Sequence, residues 1–399
     1  MPEIHGRQHT PRRMGKASRP RTSDRLRVLI AGGGVAGLEA MLALRDLAGD
    51  LVDVELLSPE YDFWYRPLAV GEPFDVARVE RFALPSLVSA AGATFTPGAV
   101  SIVEPDARLV QTSHGSELAY DVLLVAAGTR PLPVLGGALT FRGPSDVDRL
   151  RALVAEIDTG AAKRIAFVLP RRAGWPLPLY ELALLAAAHV EDRGVRGVEL
   201  SLVTTEAAPL AALGPEASGA VASRLHEHRV AFYPGHYPIR FEEGRLELVP
   251  DETLAADQVV ALARLEGQQI PGLPHDREGF LAVDRTGRVD GLDDVYAAGD
   301  ITSFPIKQGG IAAQQSVAVA ETIAARAGAD VVPRPFTPIL NAVLLTGREP
   351  LYLHAELAPD SGAATTVTTE PLHWPPAKIA SQYLAPFLAT LERGAAFTR

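Results

Sequence analysis

The sequence predicts an α/β protein built around a dinucleotide-binding fold, and three stretches carry that expectation. Residues 28–31 read as a buried strand, followed by Gly32-Gly33-Gly34-Val35-Ala36-Gly37 and a helix opening near Val35. Residues 120–131, YDVLLVAAGTRP, read as a second buried strand that runs into small residues. Residues 294–300, DVYAAGD, read as a third, ending in Gly-Asp. Between these stretches strands and helices alternate, which is the pattern of parallel sheets.

In the first stretch Gly32, Gly34 and Gly37 stand at G-x-G-x-x-G spacing. The first glycine permits a sharp turn, the second lets backbone approach a pyrophosphate, and the third lets the helix lie close on its strand. The helix start adds N–H donors and a positive dipole end. Such turns also serve ordinary packing, and the strand-before, helix-after context is what favours a dinucleotide. A strand over 52–57 follows and ends at Ser58-Pro59-Glu60. An acidic residue normally holds the ribose hydroxyls there. Ser58 takes that place, weakening the site without abolishing it. Next comes an aromatic cluster, 61–68, around Arg66-Pro67, where Arg66 can neutralise a phosphate or stack on a ring.

Residues 79–91 read as a helix, 94–103 and 108–112 as short strands, and Pro131 as the stop of the 120–131 strand. A new unit begins near 143 with a helix and a strand over 164–169. If it bound a second nucleotide, glycines would follow. Instead residues 170–182 read PRRAGWPLPLYEL, a long, proline-stiffened turn with a single glycine before a helix from about Leu179. Glu206 lies just past the next strand, 198–204. A helix over 215–228 carries His226 and His228, which do not share a face and read as a surface pair. After the 294–300 strand, Lys307-Gln308-Gly309-Gly310 opens a long helix, 311–327, whose N-terminal dipole suits negative charge on a reduced ring. Two strands are expected near 342–345 and 349–353. A final helix, 379–392, puts Ile379, Tyr383, Leu384, Phe387, Leu388 and Leu391 on one face, for core or dimer packing or for a membrane surface.

Composition narrows the function. A net charge of -10 argues against general nucleic-acid binding. No cysteine occurs, which excludes disulfides, thiolate metal sites, a redox cysteine pair and any persulfide. No apolar run is long enough to span a bilayer. Residues 1–24 read as a disordered basic tail; Arg12-Arg13 lacks the hydrophobic region an export signal needs. A cytoplasmic protein is expected, with peripheral membrane contact left open.

GGGVAG, VLLVAAGTRP and VYAAGD, in that order, resemble the pyridine nucleotide-disulfide oxidoreductase superfamily. The likeness covers about residues 27–327 and implies FAD. It implies two three-layer, Rossmann-like dinucleotide-binding domains, the second inserted in the first, plus a C-terminal interface segment. The implied division is a tail over 1–25, an FAD domain over 26–142 and 273–333, a degenerate NAD(P)-type domain over 143–272, and a C-terminal segment over 334–399. By the same likeness Gly32, Gly34 and Gly37 hold the pyrophosphate and Asp300 the ribityl chain. Val35, Ala36, Ser58, Arg66, Pro67, Val100, Ala127, Gly128, Thr129, Gly299, Gly309, Gly310 and Ile311 complete the expected FAD contacts. Within the superfamily the inserted part is most similar to sulfide:quinone oxidoreductases and flavocytochrome c sulfide dehydrogenases, which carry a comparable proline-rich turn before a Tyr-Glu helix. Those enzymes need cysteines, so sulfide oxidation by their route is excluded here. Type II NADH dehydrogenases need none, but keep the nicotinamide glycines this chain lacks. The expectation is an FAD-dependent oxidoreductase passing two electrons from a small donor to a quinone-like acceptor, with a homodimer compatible. Lys307, Glu181 and His373 are the candidate catalytic groups. The alternatives are an NAD(P)H dehydrogenase using Arg171 and Arg172 in place of glycine contacts, and a flavin-bound sensor or assembly partner.

Overall fold

The computed structural model describes residues 25–171, 173–357 and 365–396. Its helices are α1 (Val35–Ala48), α2 (Leu84–Ala90), α3 (Val147–Asp158), α4 (Leu177–Arg193), α5 (Pro215–Glu227), α6 (Gly309–Arg326) and α7 (Leu384–Ala396). Two parallel five-stranded sheets organise them. The first runs Val295–Ala297, Val122–Val125, Leu26–Ala31, Val52–Ser58, Thr94–Pro97. Its central strand is apolar and buried, as a parallel strand covered on both faces must be. Leu38, Met41 and Leu44 of α1 and Val319, Ala320 and Ile323 of α6 cover one face. The antiparallel strands Val100–Glu104, Leu109–Thr112 and Glu117–Ala119 form the layer on the other, with Val103 and Val110 in the core between.

The second sheet repeats the design: Leu139–Phe141, Gln258–Leu262, Arg164–Val168, Glu199–Val203, Val230–Tyr233. Residues of α3, α4 and α5 cover one face, and the antiparallel strands Tyr237–Glu242, Arg245–Val249 and Glu252–Ala255 lie on the other. The chain leaves the first sheet after Val125 and returns to it at Val295. Its outgoing and returning connections pair antiparallel as a ribbon, Thr129–Leu132 with Arg264–Gly267.

A third sheet, Ile339–Leu344, Leu351–Glu356 and Thr365–Thr368, packs on the second unit. Leu340, Leu344, Leu351 and Leu353 share one core with α4. Consequently α4 is buried on every side from Leu179 to Ala188, the signature of a helix that faces no solvent.

Several expected elements differ. Only Leu84–Ala90 of the 79–91 stretch is helical, because Pro85 starts the helix and Arg81–Ala83 pairs with Asp62–Trp64. Pro131 does not end the buried strand, which stops at Val125; it lies in the ribbon opposite Leu265. The third C-terminal strand, Thr365–Thr368, is threonine-rich and gave no apolar alternation to read. The last helix begins at Leu384, five residues beyond Ile379, because the Glu39 carboxylate accepts the N–H groups of Gln382, Tyr383 and Leu384. Of its expected face Ile379, Leu384 and Leu388 are buried in the core with α1, while Leu391 is exposed. Among the described residues no helix is long and apolar enough to cross a membrane. The tail expected over 1–25 lies outside the described residues up to Asp24.

Candidate functional site

The glycines of the turn differ in what surrounds them. A Cβ on Gly32 would stand 2.2 Å from the Ala126 carbonyl oxygen, and one on Gly37 would stand 1.9 Å from that of Gly32. Those two glycines let backbone pass backbone. A Cβ on Gly34 would meet nothing within 4 Å. Gly34 is also the N-cap of α1, and no side chain caps the helix, so its first N–H groups, from Val35 and Ala36, are left to an anion. Gly128 repeats the pattern: its φ is +65° and its Cβ would point into open space, between Ala127 and Thr129 at the end of the neighbouring strand. Ser58 ends the second strand beside Gly33, as the spacing required. It is 2% exposed, however, and its hydroxyl accepts the Glu60 N–H. Val100 is half-buried at the start of its strand.

Gly299 brings the returning chain to the same place. Its φ is +79° and a Cβ there would lie 2.9 Å from that of Ala36, while its N–H donates to Gln315 of α6 at 2.7 Å. The neighbouring Asp300 carboxylate has no hydrogen-bond partner among the described residues. Burial pushes it up from the usual carboxylate range, and the charges of Lys307 and Arg66 pull it back. A carboxylate held between two cations with its lone pairs unused suits sugar or ribityl hydroxyls.

Lys307 lies where both units meet. Its ammonium donates to the Thr302 carbonyl at 2.5 Å and sits 4.0 Å above the Phe280 ring. Burial lowers it to about 8, against the pull of Asp300 and Asp276. Its N–H donates to the Gly174 carbonyl at 3.3 Å, and a Cβ on Gly174 would stand 2.7 Å from its Cγ. The proline-stiffened turn of the second unit therefore folds onto Lys307. Behind that turn Glu206, at the place where an acidic residue would hold a second ribose, accepts from the Tyr180 hydroxyl at 2.7 Å, from Thr204 and from the Ala211 N–H. Arg171 stacks over Tyr237, 5.1 Å from its centroid; Arg172 lies outside the described residues.

The start of α6 is roofed. Gln308 caps it, accepting the Ile311 N–H and donating to the Asn341 carbonyl. Ile379 packs against Gly309, 3.0 Å from where its Cβ would be, and the Ala380 carbonyl lies over Gly310. Glu181 does not face open space: it is 1% exposed and both its oxygens accept from Lys378, at 2.6 and 2.7 Å. Burial pushes its carboxyl up, opposed by Lys378 and by the Leu345 N–H. The Lys378 ammonium also donates to the Pro67 carbonyl at 3.1 Å, in the 3-10 turn Arg66–Val70. His373 Nε2 lies 2.9 Å from the Ala377 carbonyl oxygen, and its buried Nδ1 has no partner among the described residues.

Thus the glycine turn, Gly128, Gly299, Asp300, Lys307 and the start of α6 come together, and the open volume over Gly34 and Gly128 with the unbonded Asp300 fits FAD. Lys378, Gln308, Gln315 and Tyr65 were not legible beforehand. Only Glu181, the one charged residue of the buried run 179–188, signalled that a buried cation had to exist.

Comparison with known proteins agrees. Residues 180–322 match the family model described as pyridine nucleotide-disulphide oxidoreductase. An NADH dehydrogenase-like protein of Mycobacterium tuberculosis is 27% identical over 303 residues, spanning 69% of this chain and 73% of that one. The sulfide-quinone reductase of Aquifex aeolicus is 24% identical over 188 residues, 45% of this chain and 43% of that. Among solved structures, the sulfide:quinone oxidoreductase of Aquifex aeolicus superposes with a TM-score of 0.79 at 17% identity, covering 86% and 87% of the two chains. NDH2 from Plasmodium falciparum in complex with NADH gives a TM-score of 0.65 at 13% identity, covering 85% and 91%. The structural likenesses establish the fold, and the match over residues 180–322 together with the site makes the chain similar to the FAD-dependent oxidoreductases of the pyridine nucleotide-disulphide kind.

Proposed function

We propose that the chain passes two electrons through FAD from a small reduced donor other than a nicotinamide to a quinone-like acceptor, without cysteine chemistry. One observation carries this reading. The turn that would cradle a second dinucleotide packs its only glycine against Lys307. A pyrophosphate needs glycine backbone and free N–H groups at a helix start; here the glycine is packed, Pro178 has no N–H and the Leu179 N–H donates to the Pro176 carbonyl. The capture of Glu206 by Tyr180 supports the same reading, since it occupies the group that would hold the nicotinamide nucleotide's ribose.

Bound FAD supplies the two-electron chemistry. In this reading the turn at Gly32, Gly34 and Gly37 holds the pyrophosphate and Asp300 the ribityl hydroxyls. Arg66-Pro67 lies along the cofactor. Lys307 and the start of α6 place positive potential where negative charge develops on reduction. The chain's other groups exclude water: Ile379 covers the helix start, and the Glu181 carboxylate is held by Lys378 rather than offering a proton. His373, within the C-terminal segment, keeps its buried Nδ1 without a partner among the described residues, and takes the proton-transfer role in this scheme. Trp374 and Leu372, 80% and 39% exposed, offer apolar surface by which a lipid-soluble acceptor is reached at a membrane face.

The runner-up, an NAD(P)H dehydrogenase, is favoured by the likeness to the NADH dehydrogenase-like protein of Mycobacterium tuberculosis and by Arg171 in the turn. An anaerobic titration of the FAD-loaded protein with NADH and then NADPH separates the two. The expected result is no rapid bleaching of the flavin band, with photoreduction still effective. Bleaching at catalytic speed would select the dehydrogenase.

A further inference from the structure

We propose that Lys378 is a positioning residue of the flavin site: paired with Glu181 and bound to the Pro67 carbonyl, it stations the Arg66-Pro67 turn and the wall formed by Ile379. The inference rests on the FAD reading above. An ammonium has three donors, and here all three are used, two on Glu181 and one on Pro67. Both side chains are nearly sealed, at 7% and 1% exposure. The three partners come from different parts of the molecule: Glu181 from α4 in the second unit, Pro67 from the flavin side of the first, Lys378 from the C-terminal segment.

The next residue shows what the tie accomplishes. Ile379 packs over Gly309 at the start of α6, and its N–H donates to the Tyr65 hydroxyl at 2.8 Å. Tyr65 directly precedes Arg66. Lys378 and Ile379 therefore grip both ends of the Tyr65-Arg66-Pro67 step and press the same segment onto the helix start. A buried pair is a poor source of net stability, since two apolar residues of similar volume often serve as well. Its charge-assisted bond to Pro67 is the part an apolar pair does not replace.

The test compares the FAD-loaded wild type with the double variant K378M/E181M. Three quantities are read: melting of the FAD-free chain, the FAD dissociation constant, and the flavin midpoint potential. A positioning role predicts FAD-free melting lowered only by what the Leu345 N–H loses with its acceptor, with a dissociation constant raised about tenfold and a shifted potential. Wild-type affinity and potential in the double variant would show the pair to be structural only and overturn the proposal. If that variant does not fold, Tyr65→Phe removes the acceptor of the Ile379 N–H without changing shape. A smaller change in the same two readouts is then expected, and unchanged values overturn the proposal equally. Failure of the wild type itself to retain FAD would sink the FAD reading, a result distinct from any difference between variants.

Discussion

At the scale of single residues, the two outer glycines of the fingerprint and the middle one do different work, and substitution separates them. Gly37→Ala drives a methyl into the Gly32 carbonyl, so it should destabilise the FAD-free chain by on the order of 3 kcal/mol. Gly34→Ala meets no protein atom and should leave FAD-free melting within about 0.5 kcal/mol of wild type, yet abolish FAD retention. A Gly34→Ala protein that still holds FAD would mean the open volume is not the pyrophosphate's. Lys307 supplies a second residue-level expectation. Its folded-state value, about 8, lies below the ordinary 10.5, so between those pH values the unfolded chain binds more protons than the folded one. Stability of the FAD-free protein should therefore rise with pH across that window, by on the order of 3 kcal/mol at most. In Lys307→Met that component should vanish, as read from the difference between the two proteins' denaturant midpoints at each pH.

Among the elements, α7 shows why a boundary can lie beyond the reach of local sequence. Its apolar periodicity begins at Ile379, but its start is set by Glu39, a carboxylate 345 positions earlier that accepts three successive N–H groups. Glu39→Gln keeps the shape and loses the charge, and should cost about 1–3 kcal/mol. Hydrogen exchange of the α7 amides should quicken more than that of α1; equal protection in the variant would show that apolar packing alone seats the helix. The same distance effect hid Lys378, whose partner lies 197 positions away. What was legible was local: the strand-turn-helix at Gly32 to Gly37, the small residues after Val125 and the Gly-Asp at 299–300, because each needs only its neighbours to explain it. The closure of the second unit was half legible. The missing glycines are a sequence fact, whereas the contact of Gly174 with Lys307 and the capture of Glu206 by Tyr180 arise only once the chain is folded.

For the molecule as a whole, two sheets of one design have been put to different uses, one leaving space over its glycine turn and the other filling it. The third sheet completes the second unit, and its place in the chain has a temporal consequence. The outer face of α4, where Ala188 meets Gly347, is covered by strands that begin at Ile339. During synthesis those strands leave the ribosome roughly 150 residues after α4, which at about 5–20 residues per second is on the order of ten seconds or more. For that interval the nascent second unit presents a helix of leucine and alanine to the surroundings on a side that is dry in the finished protein. Until the strands that begin at Ile339 have emerged, that apolar face is the part of the nascent second unit most open to association.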